Sequence, residues 1–246
     1  MPAGQEVRVS LAVVSGGGTG IGAACTHRLA GLGFSVLLVG RRREVLEQTA
    51  QSVRSATAGA LVSCESADLS RPDDAGRVAE RVRSQFAGVN VVVNNAGAPA
   101  VKHGSDLREV ARAWLDTYAV NTVSAVLLTT ALEPMLAAPG GRVIIVGSQS
   151  AHTGSASPAY GAAKAALEGY MRALAARLGP RGITANVVAP GFTENTELTV
   201  GRMPESRRQR ILSSVALGRP AQPDEIAAAV AFLATPDAPG AAPDRY

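Results

Sequence analysis

Short runs of consecutive apolar residues alternate along the chain with longer stretches in which apolar positions recur every three or four residues. The short runs, rich in β-branched residues, predict strands over Val7–Val14, Ser35–Val39, Ala60–Cys64, Val89–Val93, Arg142–Val146 and Thr184–Val188. The longer stretches predict helices over Ile21–Leu32, Glu44–Ala56, Pro72–Phe86, a long Leu107–Met135, and Ala159–Leu178. Wholly apolar runs such as Val91–Val93 and Val143–Val146 suit strands covered on both faces. Strand–helix–strand alternation with right-handed crossovers builds a doubly wound parallel sheet, so the fold class is α/β. No linker rich in Pro, Gly and Ser interrupts the series, and residues 1–246 read as one domain.

The rhythm changes after Val188. Pro190-Gly191 opens a segment with one short amphipathic helix, about Pro204–Val215, before a last helix over Pro223–Ala234. Proline in the first turn followed by Asp224 and Glu225 marks a helix N-terminus. A segment leaving the C-terminal end of a strand in such a fold is well placed to cover a ligand, so about 190–217 is expected to be a substrate lid.

Composition narrows the function classes. With 24 basic residues against 20 acidic ones the net charge is only +4, and aromatic residues make up 4%, so nucleic-acid binding is not expected. No apolar run approaches the roughly 20 residues of a membrane span, and no cleavable leader is seen; the chain is expected to be cytoplasmic, with no membrane partner. Cys25 and Cys64 show no motif spacing and read as buried small hydrophobes. His27, His103 and His152 have no metal-ligand spacing, so no metal is expected. Trp114 and Tyr118, four apart on a helix, read as core or interface residues.

Directly after the first strand comes Ser15-Gly16-Gly17-Gly18-Thr19-Gly20-Ile21-Gly22, and then a helix. Glycines there let the backbone turn sharply and approach a pyrophosphate, whose charge meets free N–H groups at the helix start. The chain is therefore expected to form a single Rossmann-like dinucleotide-binding and catalytic domain. A nicotinamide dinucleotide lacking the 2′-phosphate usually meets an acidic residue at the end of the second strand. Here that turn is Gly40-Arg41-Arg42-Arg43, and arginine can bond a 2′-phosphate or stack on adenine; NADP(H) is favoured, with NAD(H) as the alternative. Asp68 and Leu69 after the third strand are expected at the adenine. Asn94-Asn95-Ala96-Gly97, after the fourth, is expected to line the same crevice, with Asn94, Ala96 and Gly97 singled out.

Tyr160 and Lys164 lie four apart on one helix face. A phenol near pKa 10 is a poor acid–base catalyst at neutral pH, and a neighbouring ammonium is expected to lower it. Ser148, just beyond the fifth strand, offers a hydroxyl to hold a substrate oxygen. Asn121 offers an amide to retain a water beside Lys164.

These pieces, in this order, resemble the short-chain dehydrogenase/reductase family in its single-domain branch. The resemblance rests on Gly16-x-x-x-Gly20-x-Gly22, Asn94-Asn95-Ala96-Gly97, Asn121, Ser148, Tyr160-x-x-x-Lys164 and Pro190-Gly191, and covers about residues 7–237. It implies an oxidoreductase moving a hydride between NADP(H) and a carbonyl or alcohol substrate. Tyr160 would exchange the proton, Ser148 position the substrate, Lys164 tune the tyrosine and bind ribose, and Asn121 support a relay. Within the family the chain resembles 3-oxoacyl-carrier-protein reductases and secondary-metabolism ketoreductases. A ketone or 3-oxoacyl substrate, free or carrier-tethered, and a homodimer or homotetramer are the expected partners.

Three departures stand out. Thr19 occupies a place where many NADP-dependent members carry a basic residue. Thr193, Asn195 and Thr196 compete for the cofactor-contacting role that follows Pro190-Gly191, with Thr193 favoured. The family normally ends in a further strand, whereas this chain closes with Pro239-Gly240-Ala241-Ala242-Pro243-Asp244-Arg245-Tyr246; six strands are expected, with the usual seventh missing. Arg207, Arg208 and Arg210 form a basic cluster on the lid helix, read either as a solvated face or as a dock for an acidic carrier protein. The rival reading is a catalytically silent NAD(P)-binding regulator or scaffold, against which the intact Ser148/Tyr160/Lys164 set argues. A halohydrin-dehalogenase-type lyase is a further rival, disfavoured by the glycine loop and by lysine at 164.

Overall fold

The computed structural model describes residues 10–154, 157–197, 199, 204–236 and 238. Among them six strands, β1 (Leu11–Ser15), β2 (Ser35–Gly40), β3 (Val62–Ser66), β4 (Val91–Asn94), β5 (Arg142–Val146) and β6 (Thr184–Val188), form one sheet. Its order is β3-β2-β1-β4-β5-β6 and every pairing is parallel. The helices are α1 (Gly20–Gly31), α2 (Arg43–Ala56), α3 (Pro72–Gln85), α4 (Leu107–Tyr118), α5 (Ser124–Leu132), α6 (Ser150–Thr153), α7 (Pro158–Leu178), α8 (Glu205–Leu212) and α9 (Pro223–Ala234). This is the expected doubly wound α/β fold.

Successive strand residues point to opposite faces, and both faces are buried. Val13, Leu37, Val92, Val143 and Ile145 pack with Val78 and Val82 of α3, Leu128 and Leu132 of α5, and Leu167 and Leu174 of α7. Val14, Leu38, Val93 and Ile144 pack with Leu29 of α1, Leu46 and Val53 of α2, and Val230 of α9. The uninterrupted apolar runs in the sequence have this cause: a strand covered twice has no polar side.

Departures from expectation sit where that signal fades. β3 starts at Val62, two residues late, because this edge strand is buried at Val62 alone and half-exposed thereafter. Cys64 lies on it and is accordingly half-buried, while Cys25 is buried as expected. The long helix is not continuous: a π-helical turn, Ala119–Val123, separates α4 from α5, and a 3₁₀ turn follows at Glu133–Met135. Trp114 and Tyr118 are not core residues, standing 41% and 43% exposed on α4 beside Leu107 and Leu115. Ser150–Thr153, without any expected element, forms the short α6. α8 is shorter than anticipated, whereas α9 has the expected bounds and a capping box in which the Gln222 amide donates to Glu225 at 2.7 Å. Residues 7–9 of the first expected strand and residues 239–246, on which the missing seventh strand was read, lie outside the described residues.

Candidate active site

The strand order switches between β1 and β4, with β2 and β3 laid down to one side and β5 and β6 to the other, and the crevice this leaves at the C-terminal ends of the strands is where such sheets bind ligands. A cleft of about 1480 Å³ opens there. Its walls come from the glycine loop, the β2–α2 turn, the segments after β3, β4 and β5, the start of α7, and the lid through α8.

The glycine loop is shaped by contact. Gly16 has φ +63°, and a Cβ there would fall 2.8 Å from Asn95 Nδ2 and 3.0 Å from the Cα of Ala96. On Gly22 it would fall 2.0 Å from the Gly16 carbonyl oxygen. Gly22 therefore packs α1 onto the loop and does not itself line the cleft, whereas Gly16, Gly18, Thr19, Gly20 and Ile21 do. Thr19 precedes α1 in extended conformation, its side chain leaves the helix uncapped, and no acidic residue stands in the first turn of α1. A bare backbone cradle at a positive helix end fits a dinucleotide pyrophosphate.

Ser15 ties the loop to β4. Its hydroxyl accepts from the Asn95 and Ala96 amides at 2.9 and 3.0 Å and donates to the Val93 carbonyl at 3.3 Å. Asn95 in turn donates to the Ser15 and Gly16 carbonyls, both at 3.1 Å. Asn94, expected in the crevice, instead points into the protein. It is 3% exposed and donates to the Thr129 hydroxyl at 2.8 Å, because as the last residue of β4 it faces α5. Ala96 and Gly97 line the cleft as anticipated, and Asn95, quoted within the motif without a role, is the polar residue of the pair that does so.

At the far end, Arg41 and Arg42 are exposed on the β2–α2 turn, and both line the cleft. Arg42 donates through Nη2 to Glu197 of the lid. Asp68 accepts on Oδ1 from the Ser70 amide at 3.1 Å and the Ser70 hydroxyl at 2.7 Å, and it lines the cleft beside Leu69.

Ser148, Tyr160 and Lys164 converge where β5 ends and α7 begins. The hydroxyl of Ser148 stands beside the phenol of Tyr160 and accepts from the Ser150 amide at 3.1 Å. Lys164, 4% exposed, donates to the Val146 carbonyl at 3.0 Å, and its Nζ lies 5.9 Å from the Tyr160 ring centroid. Burial lowers the Lys164 ammonium to about 8. Burial raises Tyr160 above its usual value, opposed only by the neighbouring Ser148 hydroxyl. The expectation that Lys164 lowers the phenol is thus not met: desolvation dominates, and the ammonium is turned to a carbonyl rather than to the phenol oxygen.

Asn121 sits in the π-helical turn, 1% exposed, donating to the Thr117 carbonyl at 2.9 Å and accepting from the Ala98 amide at 3.1 Å. It does not line the cleft but stands against Gly97, which does. A Cβ on Gly97 would meet Asn121 Oδ1 at 2.9 Å and Lys164 Nζ at 3.4 Å, so both groups close on the same point. The Thr122 hydroxyl fastens this turn to α7 through the Ala163 carbonyl at 2.8 Å.

In the lid, the Gln149 amide donates to the Pro190 carbonyl at 2.9 Å, which sets Pro190 and Gly191 against the end of β5. Of the three competing residues Thr193 and Thr196 line the cleft, whereas Asn195 donates to Gln222 at 3.1 Å outside it. The basic cluster is split: Arg207 lines the cleft, while Arg208 donates through Nε to Glu194 at 2.8 Å. His152 does not line the pocket either; its Nε2 stands 2.6 Å from Glu168 of α7. Among the described residues no group of three or more His, Cys, Asp or Glu side chains could hold a metal, and no helix is long and apolar enough to cross a membrane.

Residues 16–242 match the family described as enoyl-(acyl carrier protein) reductase. The chain is 35% identical over 236 residues to the 3-oxoacyl-(acyl-carrier-protein) reductase FabG of Pseudomonas aeruginosa, covering 94% of this chain and 92% of that one. Among solved structures it superimposes with a TM-score of 0.86 on a short chain dehydrogenase from Burkholderia cenocepacia in complex with NADP, at 30% identity over 97% of this chain and 95% of that one. An actinorhodin polyketide ketoreductase variant with NADPH gives 0.84 at 27% identity, over 95% and 93%. Fold, glycine loop and the order of the site residues agree with these matches, and the chain is a member of the short-chain dehydrogenase/reductase family.

Proposed function

We propose that this chain is an NADP(H)-dependent ketoreductase acting on a ketone or 3-oxoacyl compound. The observation that carries the reading is the adjacent Ser148 and Tyr160 hydroxyls beside a buried Lys164, all opening on one cleft with a glycine cradle at its other end. Two hydroxyls side by side suit a single carbonyl oxygen. The similar reductases and ketoreductases, some solved with NADP or NADPH, support the same class of substrate and cofactor.

The dinucleotide would be held by Gly16, Gly18, Thr19, Gly20 and Ile21 at its pyrophosphate, with Arg41, Arg42, Asp68 and Leu69 toward the adenosine. Ala96, Gly97, Lys164, Pro190, Gly191 and Thr193 would flank the nicotinamide half, under a lid of about 190–217. The chemistry supplied by a bound nicotinamide is hydride transfer at the carbonyl carbon. The chain's own part is orientation and proton delivery. Ser148 holds the substrate oxygen, and the Tyr160 O–H bond breaks to protonate it as the alcohol forms. Lys164, at about 8, yields its own proton readily, and because its ammonium bonds the Val146 carbonyl and not the phenol oxygen, that proton would return to the phenol through a bridging hydroxyl or water. Asn121 fixes the Gly97–Ala98 backbone next to that ammonium and supports the relay behind it.

The exposed apolar side of α4, with Leu107, Trp114, Leu115 and Tyr118, supports a homo-oligomer, either a dimer or a tetramer. A carrier-tethered substrate would reach the cleft past Arg207.

The test is consumption of NADPH and of NADH with simple ketones, 3-oxoacyl thioesters, enoyl thioesters and quinones. Turnover is expected first with NADPH and a 3-oxoacyl thioester. Dinucleotide binding without turnover on any of these would favour a silent binding protein, and turnover confined to the enoyl thioester would replace ketone reduction.

A further inference from the structure

Glu197 reaches out of the lid to two walls of the cleft at once. Its Oε1 accepts from the Thr19 hydroxyl at 3.2 Å and from Nη2 of Arg42. With its hydroxyl turned to Glu197, Thr19 makes no cap on α1. The neighbouring lid backbone lies on the same helix start: a Cβ on Gly20 would meet the Cα of Thr196 at 3.2 Å and the Asn195 carbonyl at 3.4 Å. α1 carries no acidic side chain of its own in its first turn, so Glu197 brings the negative charge that this positive helix end attracts.

A guanidinium has a fixed set of donors, and a carboxylate on Nη2 engages part of them. The 2′-phosphate of NADP(H) would seek the same donors and would also be repelled by the carboxylate. The 2′-hydroxyl of NAD(H) is neutral and can donate to a carboxylate, which is the usual role of an acid at the end of the second strand. One side chain therefore acts differently on the two cofactors.

We propose that Glu197 is a selectivity residue, an anion within the chain that competes with the cofactor 2′-phosphate for Arg42. It holds the preference for NADP(H) below the level that Arg41 and Arg42 would set without it. The inference rests on the dinucleotide-binding reading above. Its consequence lies in binding rather than folding, since the pair is half-exposed, at 58% and 46%, and such surface pairs contribute little to stability.

The experiment is fluorescence titration of the full chain with NADPH and NADH in the absence of substrate, for wild type, Glu197→Gln, Arg42→Ala and the double variant. Glu197→Gln is expected to tighten NADPH by about three- to tenfold. NADH should change by less than about twofold, and at least half of the NADPH gain should vanish when Arg42 is already alanine. Parallel shifts for both cofactors, weaker NADPH binding, or a gain undiminished in the Arg42→Ala background would each overturn the proposal. Wild type binding neither dinucleotide would remove the proposed function as well, whereas normal binding with unchanged selectivity in Glu197→Gln would remove this inference alone.

Discussion

The ammonium of Lys164 donates to the carbonyl of Val146 at 3.0 Å while its Nζ stands 5.9 Å from the centroid of the Tyr160 ring. The last residue of β5 thus holds the cation close to the phenol without letting it bond the phenol oxygen. Desolvation lowers the lysine to about 8 and raises the tyrosine, so the ammonium is the readier proton donor of the two.

That inversion is measurable in stability. Lys164 titrates near 10.4 when unfolded and at about 8 when folded, so between those values the unfolded chain binds the additional proton. Stability contributed by this group therefore rises as pH climbs from about 8 to about 10, and below about 8 the full cost of a buried charge is present. Lys164→Met should melt higher than wild type at pH 7 by a margin that shrinks toward pH 10. A margin constant across that range would contradict a depressed lysine.

Tyr160→Phe should cut turnover by about a hundred- to ten-thousandfold, the usual contribution of a positioned proton donor. Dinucleotide affinity, read by titration, should stay within about twofold, because the cradle is built from other segments. Near-normal turnover would eliminate Tyr160 as the proton donor.

Gly22→Ala should destabilise the fold by about 1–3 kcal/mol, since its Cβ would sit 2.0 Å from the Gly16 carbonyl. Gly76→Ala, at an exposed position of α3 with nothing within 4 Å of its Cβ, should instead stabilise by about 0.5–1 kcal/mol. Thermal denaturation of both variants checks the contrast, and equal effects would mean the loop does not press on α1 as described.

The split of the lid arginines separates two outcomes that the sequence joined. Arg207→Ala should raise KM for a carrier- or coenzyme-linked 3-oxoacyl thioester several-fold relative to a small free ketoester. Arg208→Ala should leave that ratio unchanged, because its guanidinium is held by Glu194. The ratio of kcat/KM for the two substrates is the readout, and an effect confined to Arg208 would reverse the assignment.

The sheet and the Ser148/Tyr160/Lys164 set are legible because each rests on local sequence: wholly apolar strands, a serine just past the end of one of them, and two side chains spaced on one helix. Edge strand β3 was placed two residues early because a half-exposed strand loses its apolar signature. The motif alone puts Asn94 in the cleft and gives Asn95 no role, since one residue's shift along a strand swaps faces and the motif does not say where β4 ends. Glu197 had no signal, its partner Arg42 lying 155 residues away. The failure of Lys164 to lower Tyr160 was equally invisible, because it depends on burial and on the Val146 carbonyl rather than on spacing.

The π-helical turn at Ala119–Val123 has a consequence for how the helix breathes. An extra residue in one turn loosens the regular backbone ladder and shifts the phase of the two flanking halves by roughly 100°. Amides 119–123 should therefore exchange with deuterium ahead of those in α5, although Asn121 and Thr122 are buried. Deleting one residue there would knit α4 and α5 into a continuous rod and rotate Trp114 and Tyr118 around its axis. The seam that seats Asn121 behind Lys164 thus also sets which way the apolar side of α4 faces.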